Sequence, residues 1–281
     1  MSPRSYRQPV LILLAAALLA PLGAHCVQAQ MIPADAVLRD FEPLGDYYLE
    51  VGGARIPEVE LFRSEKAGSA VLVFGPGLRG VTLLQPRAHA VQTLSMTKVA
   101  KRADGRVDVL ADAVLTPAGD FTIDGREISF TIEGKAARLR EKPYLLGLHP
   151  GRDLLLHDAT YSFRAKLYQP SPALVNALRQ ATKPVRIRVF FGSWCPHCQQ
   201  MVPRILRLED ALAGSTIHFE FYGLPTLYGE EPEAKRMGID GVPTGVVYRG
   251  NREVGRIAGE EWSIPELAIK KILENTPKSS R

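Results

Sequence analysis

The first half of the chain consists of short stretches in which apolar and polar residues alternate, separated by glycine-containing turns. The clearest example is residues 121–132, where the apolar residues alternate on both sides of an Asp124-Gly125 pair. A period of two places alternate side chains on opposite faces of a strand, and Asp-Gly favours the tight turn of a hairpin. We therefore predict a mostly antiparallel β sandwich or barrel, read as strands from residue 31 to residue 167 and assigned to residues 30–168.

The period changes to that of helices and buried strands after residue 168. The predicted order is α-β-α-β-α-β-β-α, and such an alternation favours a central sheet with helices on both faces. We assign this second domain to residues 171–278. Apolar residues at helical spacing or in strand-like runs occupy residues 171–181, 185–191, 196–212, 217–221 and 264–273.

The amino terminus has the pattern of an export signal. Arg4 and Arg7 precede an unbroken apolar run at residues 10–20, and Val27-Gln28-Ala29 has the small residues that favour cleavage. We predict a signal peptide over residues 1–29, removed after Ala29, and an exported, periplasmic protein. An uncleaved membrane anchor is the alternative, but this run is shorter than the roughly 20 residues that span a bilayer.

Composition narrows the class of protein. Hydrophobic residues make up 46% and charged residues 23% of the 281 residues, as in soluble globular proteins. The formal charge of +5 includes Arg4 and Arg7, so about +3 remains after cleavage, too little to indicate nucleic-acid binding. Of the three cysteines, Cys26 lies in the predicted signal peptide, which leaves only Cys195 and Cys198 in the mature chain.

These two cysteines lie in the sequence Trp194-Cys195-Pro196-His197-Cys198, between a predicted strand and a predicted helix. Two thiols separated by two residues can close a disulfide reversibly. The free N–H groups and dipole of a helix N-terminus lower a thiol pKa, and a positive charge on His197 would lower it further. The pattern therefore predicts that Cys195 attacks a disulfide and that Cys198 resolves the mixed disulfide.

This region resembles the thioredoxin superfamily from residue 171 to about residue 277. Trp194 precedes the cysteine pair as it does in thioredoxins, and Pro203 matches the proline that kinks the helix after the pair. Gly241-Val242-Pro243-Thr244 matches the loop that ends in the family's cis-proline. The resemblance implies a thioredoxin fold and a protein thiol–disulfide oxidoreductase without a cofactor. It also implies that Pro196 and His197 tune the cysteines, and that Trp194, Val242 and Pro243 contact the substrate.

Two features leave the direction of electron transfer open. The Pro-His pair between the cysteines resembles the disulfide-forming, DsbA-like oxidases, whereas the rest of the motif resembles thioredoxin or the exported thioredoxin-like reductases. These families also place a buried acid six residues before the first cysteine, where this chain has Val189. The proton of Cys198 must then pass through water, His197 or another group.

Two other functions and the role of the first domain also stay open. Cys195, Cys198 and His197 could bind a soft ion such as Cu(I), which would make the protein a copper-handling or metallocentre-assembly factor. A binding module without redox activity is a further alternative. The expected partners are proteins with thiols or disulfides and a membrane or soluble redox partner. The β-rich domain could hold substrate, dock the redox partner or form a homodimer.

Overall fold

The computed structural model describes residues 30–31 and 38–275. The strands are β1 (Gln30–Met31), β2 (Glu42–Pro43), β3 (Tyr47–Val51), β4 (Ala54–Arg55), β5 (Glu60–Ser64), β6 (Ala70–Phe74), β7 (Val81–Gln85), β8 (Ala90–Leu94), β9 (Val99–Lys101), β10 (Val107–Val109), β11 (Val114–Gly119), β12 (Thr122–Asp124), β13 (Glu127–Ile132), β14 (Lys135–Glu141), β15 (Gly147–His149), β16 (Val185–Phe191), β17 (Ile217–Gly223), β18 (Thr244–Arg249) and β19 (Arg252–Ile257).

The α-helices lie in the second half of the chain. They are α1 (Gly151–His157), α2 (Ala159–Leu167), α3 (Pro172–Arg179), α4 (Pro196–Ala211), α5 (Pro232–Met237) and α6 (Pro265–Asn275). Short 3₁₀ helices cover Pro86–Ala88, Met96–Lys98, Tyr228–Glu230 and Gly259–Ser263. Within the described residues, no helix combines the length and the apolar character that crossing a bilayer requires. The predicted signal peptide, with Cys26, lies outside the described residues.

Two large antiparallel sheets, together with a two-stranded sheet of β9 and β10, form the first half of the structure. A seven-stranded sheet has the order β1-β11-β8-β7-β6-β5-β2, and a five-stranded sheet has the order β12-β13-β14-β3-β4. Strand β6 is buried along its whole length because both of its faces are covered. Val71 and Val73 face a core shared with Phe130 of the second sheet, and Leu72 lies in a separate core on the other face. The predicted β-rich domain is therefore confirmed, and its two sheets pack as a sandwich.

The second half is built around a five-stranded sheet with the order β15-β17-β16-β18-β19. Strand β16 is central, parallel to β17 and antiparallel to β18. Its alternation places Ile187 and Val189 in the core that contains α4, whereas Phe190 faces the core that contains Ala234 of α5. The predicted element order from α3 to α6 and the predicted helices on both faces are confirmed.

The prediction that residues up to 167 are all β is wrong between residues 151 and 167. Strand β15 pairs with β17 of the second sheet, and α1 and α2 follow it. Helix α2 begins after Asp158, whose side chain caps it by accepting the N–H of Thr160. Helices of seven and nine residues contain only two turns, too few for the helical period to stand out. The bounds of the two predicted domains stay a prediction.

The β sandwich contacts the second half of the structure beside the cysteine pair. The Gly45 N–H donates to the Thr160 hydroxyl at 3.1 Å, and the Gln199 amide donates to Asp46 at 3.2 Å. The Leu145 N–H donates to the Ser193 hydroxyl at 3.1 Å. Residues just before β3 therefore lie against the first turns of α2 and α4, and Leu145, after β14, lies against the segment that joins β16 to α4.

Candidate active site

The turn from β16 into α4 positions the two cysteines. Cys195 is the N-cap of α4, and its sulfur accepts the N–H of Cys198 at 3.3 Å. Pro196 occupies the first helical position, where the missing N–H costs no hydrogen bond. Cys195 is 8% exposed and Cys198 is 0% exposed, and both are free thiols. His197 is exposed. Cys195 therefore keeps a small exposed area, whereas Cys198 has none.

The surroundings of Cys195 favour its thiolate. The hydrogen bond from the Cys198 thiol is the largest influence, and it helps to lower the pKa of Cys195 from 9.0 to about 6. The N–H groups of Cys198 and His197 act in the same direction, whereas partial burial opposes them. The positive charge of His197 makes a smaller contribution. The main tuning groups are thus the second thiol and the helix N-terminus.

Cys198 has the opposite environment. Burial is the main reason that its pKa rises far above 9.0, and the hydrogen bond to the Cys195 sulfur raises it further. Val189 on β16 is fully buried in the same core. The strand next to Cys198 therefore contributes an apolar side chain where the resemblance implies an acid. The pair is strongly asymmetric, with one thiol that ionises readily and one that does not.

The loop before β18 lies against Cys195. The Val242–Pro243 peptide bond is cis. The Cys195 thiol donates to the Val242 carbonyl oxygen, which lies 3.9 Å from the sulfur. The Pro243 carbonyl accepts the buried indole N–H of Trp262 at 2.9 Å, and the Thr244 hydroxyl donates to the Gly241 carbonyl at 2.7 Å. Backbone groups of this loop are therefore held at the reactive sulfur.

Trp194 lies next to the pair and is partly exposed. Its indole N–H donates to the Leu224 carbonyl at 2.8 Å, and its ring stacks on Tyr228 with centroids 6.3 Å apart. The ring also lies over Gly192, where an added Cβ would come within 2.5 Å of it. Trp194 is therefore fixed in one orientation beside Cys195.

Comparisons with known proteins identify the domain that contains this site. The family model for thioredoxin matches residues 172–272. This part of the chain is a thioredoxin domain. Thioredoxin M4 of Arabidopsis thaliana, a chloroplast protein, is 31% identical over 86 residues, which are 30% of this chain and 40% of that protein. The chain thus spans less than half the length of this curated relative.

Two solved structures match parts of the chain. Spinach chloroplast thioredoxin f, in its long form, is 24% identical and covers 34% of this chain and 76% of its own, with a TM-score of 0.28. A Pseudomonas aeruginosa protein of unknown function is 15% identical and covers 45% of this chain and 86% of its own, with a TM-score of 0.34.

The structure brings together all the site residues that the sequence predicted. It also shows further residues that contact the site. Cys195, Cys198, Pro196, His197, Trp194, Val242 and Pro243 all lie at this one end of the sheet. Trp262 fixes the loop and Asp46 reaches the site from the β sandwich, but neither has a local sequence signal. Asp158 has a local sequence signal, because Asp is a common N-cap residue directly before a helix.

The copper-handling alternative stays a prediction. Within residues 30–31 and 38–275, the structure contains no group of three or more His, Cys, Asp or Glu side chains arranged to hold a metal ion. The two cysteines and His197 remain the residues on which that alternative depends.

Proposed function

We propose that this protein is an exported thiol–disulfide oxidoreductase that exchanges disulfides with protein substrates. The asymmetry of the cysteine pair carries the proposal. The pKa of Cys195 is lowered to about 6 and the residue is 8% exposed, whereas Cys198 is 0% exposed and burial raises its pKa. Since only a thiolate attacks a disulfide, Cys195 is the attacking residue at neutral pH.

The reaction consists of two exchanges. In the first, the Cys195 thiolate attacks one sulfur of a substrate disulfide, a mixed disulfide forms, and the other substrate sulfur leaves as a thiolate. In the second, Cys198 loses its proton and attacks the Cys195 sulfur, and the second substrate thiolate leaves. The substrate gains two electrons and the enzyme pair becomes a disulfide. The reverse sequence oxidises a substrate dithiol.

The loop containing Val242 and Pro243 is the proposed binding surface for the substrate backbone. An extended peptide could add to it as a strand, because backbone groups at this position lie within 4 Å of the sulfur that forms the mixed disulfide. Trp194 would contact side chains of the bound segment from the other side. Partly exposed aromatic rings are suited to this, since they bury large areas at low entropic cost.

The periplasmic location rests on the predicted signal peptide of residues 1–29, and cleavage after Ala29 gives a mature chain that begins at Gln30. Expression in a bacterium with a periplasm, followed by N-terminal sequencing of the fractionated protein, tests this.

A redox partner, in the membrane or soluble, would recycle the pair. The β sandwich, which touches the site through Asp46, would hold substrate, dock that partner or mediate a homodimer.

The direction of transfer depends on the reduction potential of the pair. A thiolate with a pKa near 6 stabilises the reduced form, which makes the disulfide a better oxidant. We expect a potential between about −270 mV, the value for thioredoxin, and about −120 mV, the value for a strong periplasmic oxidant. Equilibration of the full chain with glutathione redox buffers measures it.

Trapping variants test the function itself. In full-length protein with Cys26→Ala, Cys198→Ala is expected to accumulate mixed disulfides with protein substrates, because Cys195 attacks but nothing resolves the product. Cys195→Ala is the matched control and is expected to trap few. Equal insulin reduction by both variants and by the unmodified pair would exclude the proposed roles.

A further inference from the structure

Cys198 must ionise before it can attack, but its surroundings oppose ionisation. Its side chain is fully buried in a core that includes Val189 and Val202, and burial raises its pKa. A thiolate that forms there needs a hydrogen-bond donor, and its proton needs an acceptor, because an isolated charge in an apolar core is costly.

Helix α2 provides two buried oxygen atoms suited to these two roles. Tyr161 is 0% exposed and lies in the same core as Cys198, and its hydroxyl has no hydrogen-bond partner among the described residues. Asp158, three residues earlier, is 1% exposed; its Oδ1 accepts the Thr160 N–H, but its Oδ2 has no partner there either. The Tyr161 hydroxyl can donate and accept a hydrogen bond and the Asp158 carboxylate oxygen can accept one, and among the described residues neither does so.

Tyr161 and Cys198 lie in the first turns of two helices that lie side by side. The neighbouring residues Gly45 and Asp46 bond Thr160 of α2 and Gln199 of α4, so they join these two first turns. Burial is the main cause that raises the pKa of Tyr161, and among charged groups Cys198 contributes most, followed by Asp158. Helix α2 packs directly on α4, which carries Cys198.

The stability of the fold does not account for this hydroxyl. A buried polar group without a partner destabilises a fold, and a phenylalanine would fill the same space without that cost. The same reasoning applies to Asp158, where asparagine would cap α2 equally well without a buried charge.

We propose that Tyr161 assists the resolving step by donating a hydrogen bond to the sulfur of Cys198 as it ionises, with Asp158 as the final proton acceptor. This inference rests on the proposed function. In the mixed disulfide the Tyr161 hydroxyl, which has no partner in the structure described above, forms hydrogen bonds to both groups; Cys198 then gives its proton to the Tyr161 oxygen while Tyr161 gives its own proton to Asp158. The Cys198 electron pair then forms the bond to the Cys195 sulfur, and the bond between Cys195 and the substrate breaks, with the substrate sulfur leaving as a thiolate. Tyr161 therefore acts through Cys198 as a positioning residue.

Other charged groups complete the environment of this pair. The Lys142 ammonium donates to the His157 carbonyl at 2.6 Å and lies near enough to stabilise the Asp158 carboxylate. Asp46 approaches from the loop before β3 and His157 from the end of α1, and these groups contribute to any pH dependence of resolution together with both cysteines. Gly45 packs against the Asp158 carboxylate and shields this carboxylate from solvent.

The two exchange steps can be followed separately with Ellman's reagent. Reduced full-length protein carrying Cys26→Ala releases one coloured thiolate when Cys195 attacks and a second when Cys198 resolves the mixed disulfide. We expect Tyr161→Phe to leave the first phase unchanged and to slow the second by about tenfold to a hundredfold, the effect of one hydrogen bond to a charged group. Asp158→Asn is expected to slow the second phase and to flatten its pH profile.

The matched control is Tyr168→Phe, which removes a hydroxyl bonded to Glu266 at 2.7 Å at the opposite, C-terminal end of α2 and outside the cysteine core. It is expected to leave both phases unchanged. A second phase in Tyr161→Phe as fast as in the parent protein, with the first phase intact, would overturn this inference alone. Absence of the first phase in the parent protein would overturn the proposed function, and this inference with it.

Discussion

Removing the second thiol is expected to weaken the reactivity of the first. In full-length protein with Cys26→Ala, Cys198→Ala leaves Cys195 as the single thiol and deletes the largest influence that lowers its pKa. The lowering from 9.0 to about 6 corresponds to about 4 kcal/mol. A hydrogen bond to a charged group contributes about 1.5–3 kcal/mol of this, so we expect the Cys195 pKa to rise by about one to two pH units. The thiolate fraction at pH 7 then falls from about nine-tenths to between a half and a tenth.

The ultraviolet absorbance of the thiolate against pH measures this change, and the pH dependence of alkylation by iodoacetamide checks it independently. His197→Asn, which keeps both thiols, is the comparison. Because His197 is exposed and its charge contributes less than the hydrogen bonds, we expect a rise of less than about one pH unit. If the Cys195 pKa stays near 6 without Cys198 but rises by more than a unit without His197, the histidine charge controls the thiol and this reasoning is refuted.

Three further outcomes follow from the geometry. Trp262→Phe leaves the Pro243 carbonyl without its buried donor and should lower the free energy of unfolding by about 1–3 kcal/mol in urea titrations; an unchanged midpoint would contradict this. Gly45→Ala places a methyl group against the α2 cap, and it should destabilise the contact between α2 and the sandwich by about 1–3 kcal/mol and increase proteolysis there. Gly229→Ala, whose methyl group would meet open space, is the control and should change neither. Because its pKa is lowered on folding, the Cys195 thiolate should stabilise the reduced chain fully above about pH 9, and this contribution should be lost as the pH falls through about 6. Denaturant titrations at several pH values, comparing the reduced protein with Cys195→Ala, test this.

The sequence by itself determined the elements whose signals are local. Alternation on either side of Asp124-Gly125 predicted the β12–β13 hairpin, and the order from α3 to α6 followed from the change of period. The reactive position of Cys195 was also readable, because a helix N-terminus acts on its own N-cap through neighbouring backbone groups. Each of these features depends on residues within a few positions of one another.

The tertiary structure decided what depends on contacts between distant segments. Residues 147–167 lie beside the second sheet because β15 pairs with β17, about 70 residues later in the chain. The same packing brings Tyr161 and Asp158 to the core around Cys198, where the strand itself offers only Val189. Burial and pairing of this kind arise from the whole fold, since a residue's solvent exposure is set by what packs on it and not by its neighbours in sequence.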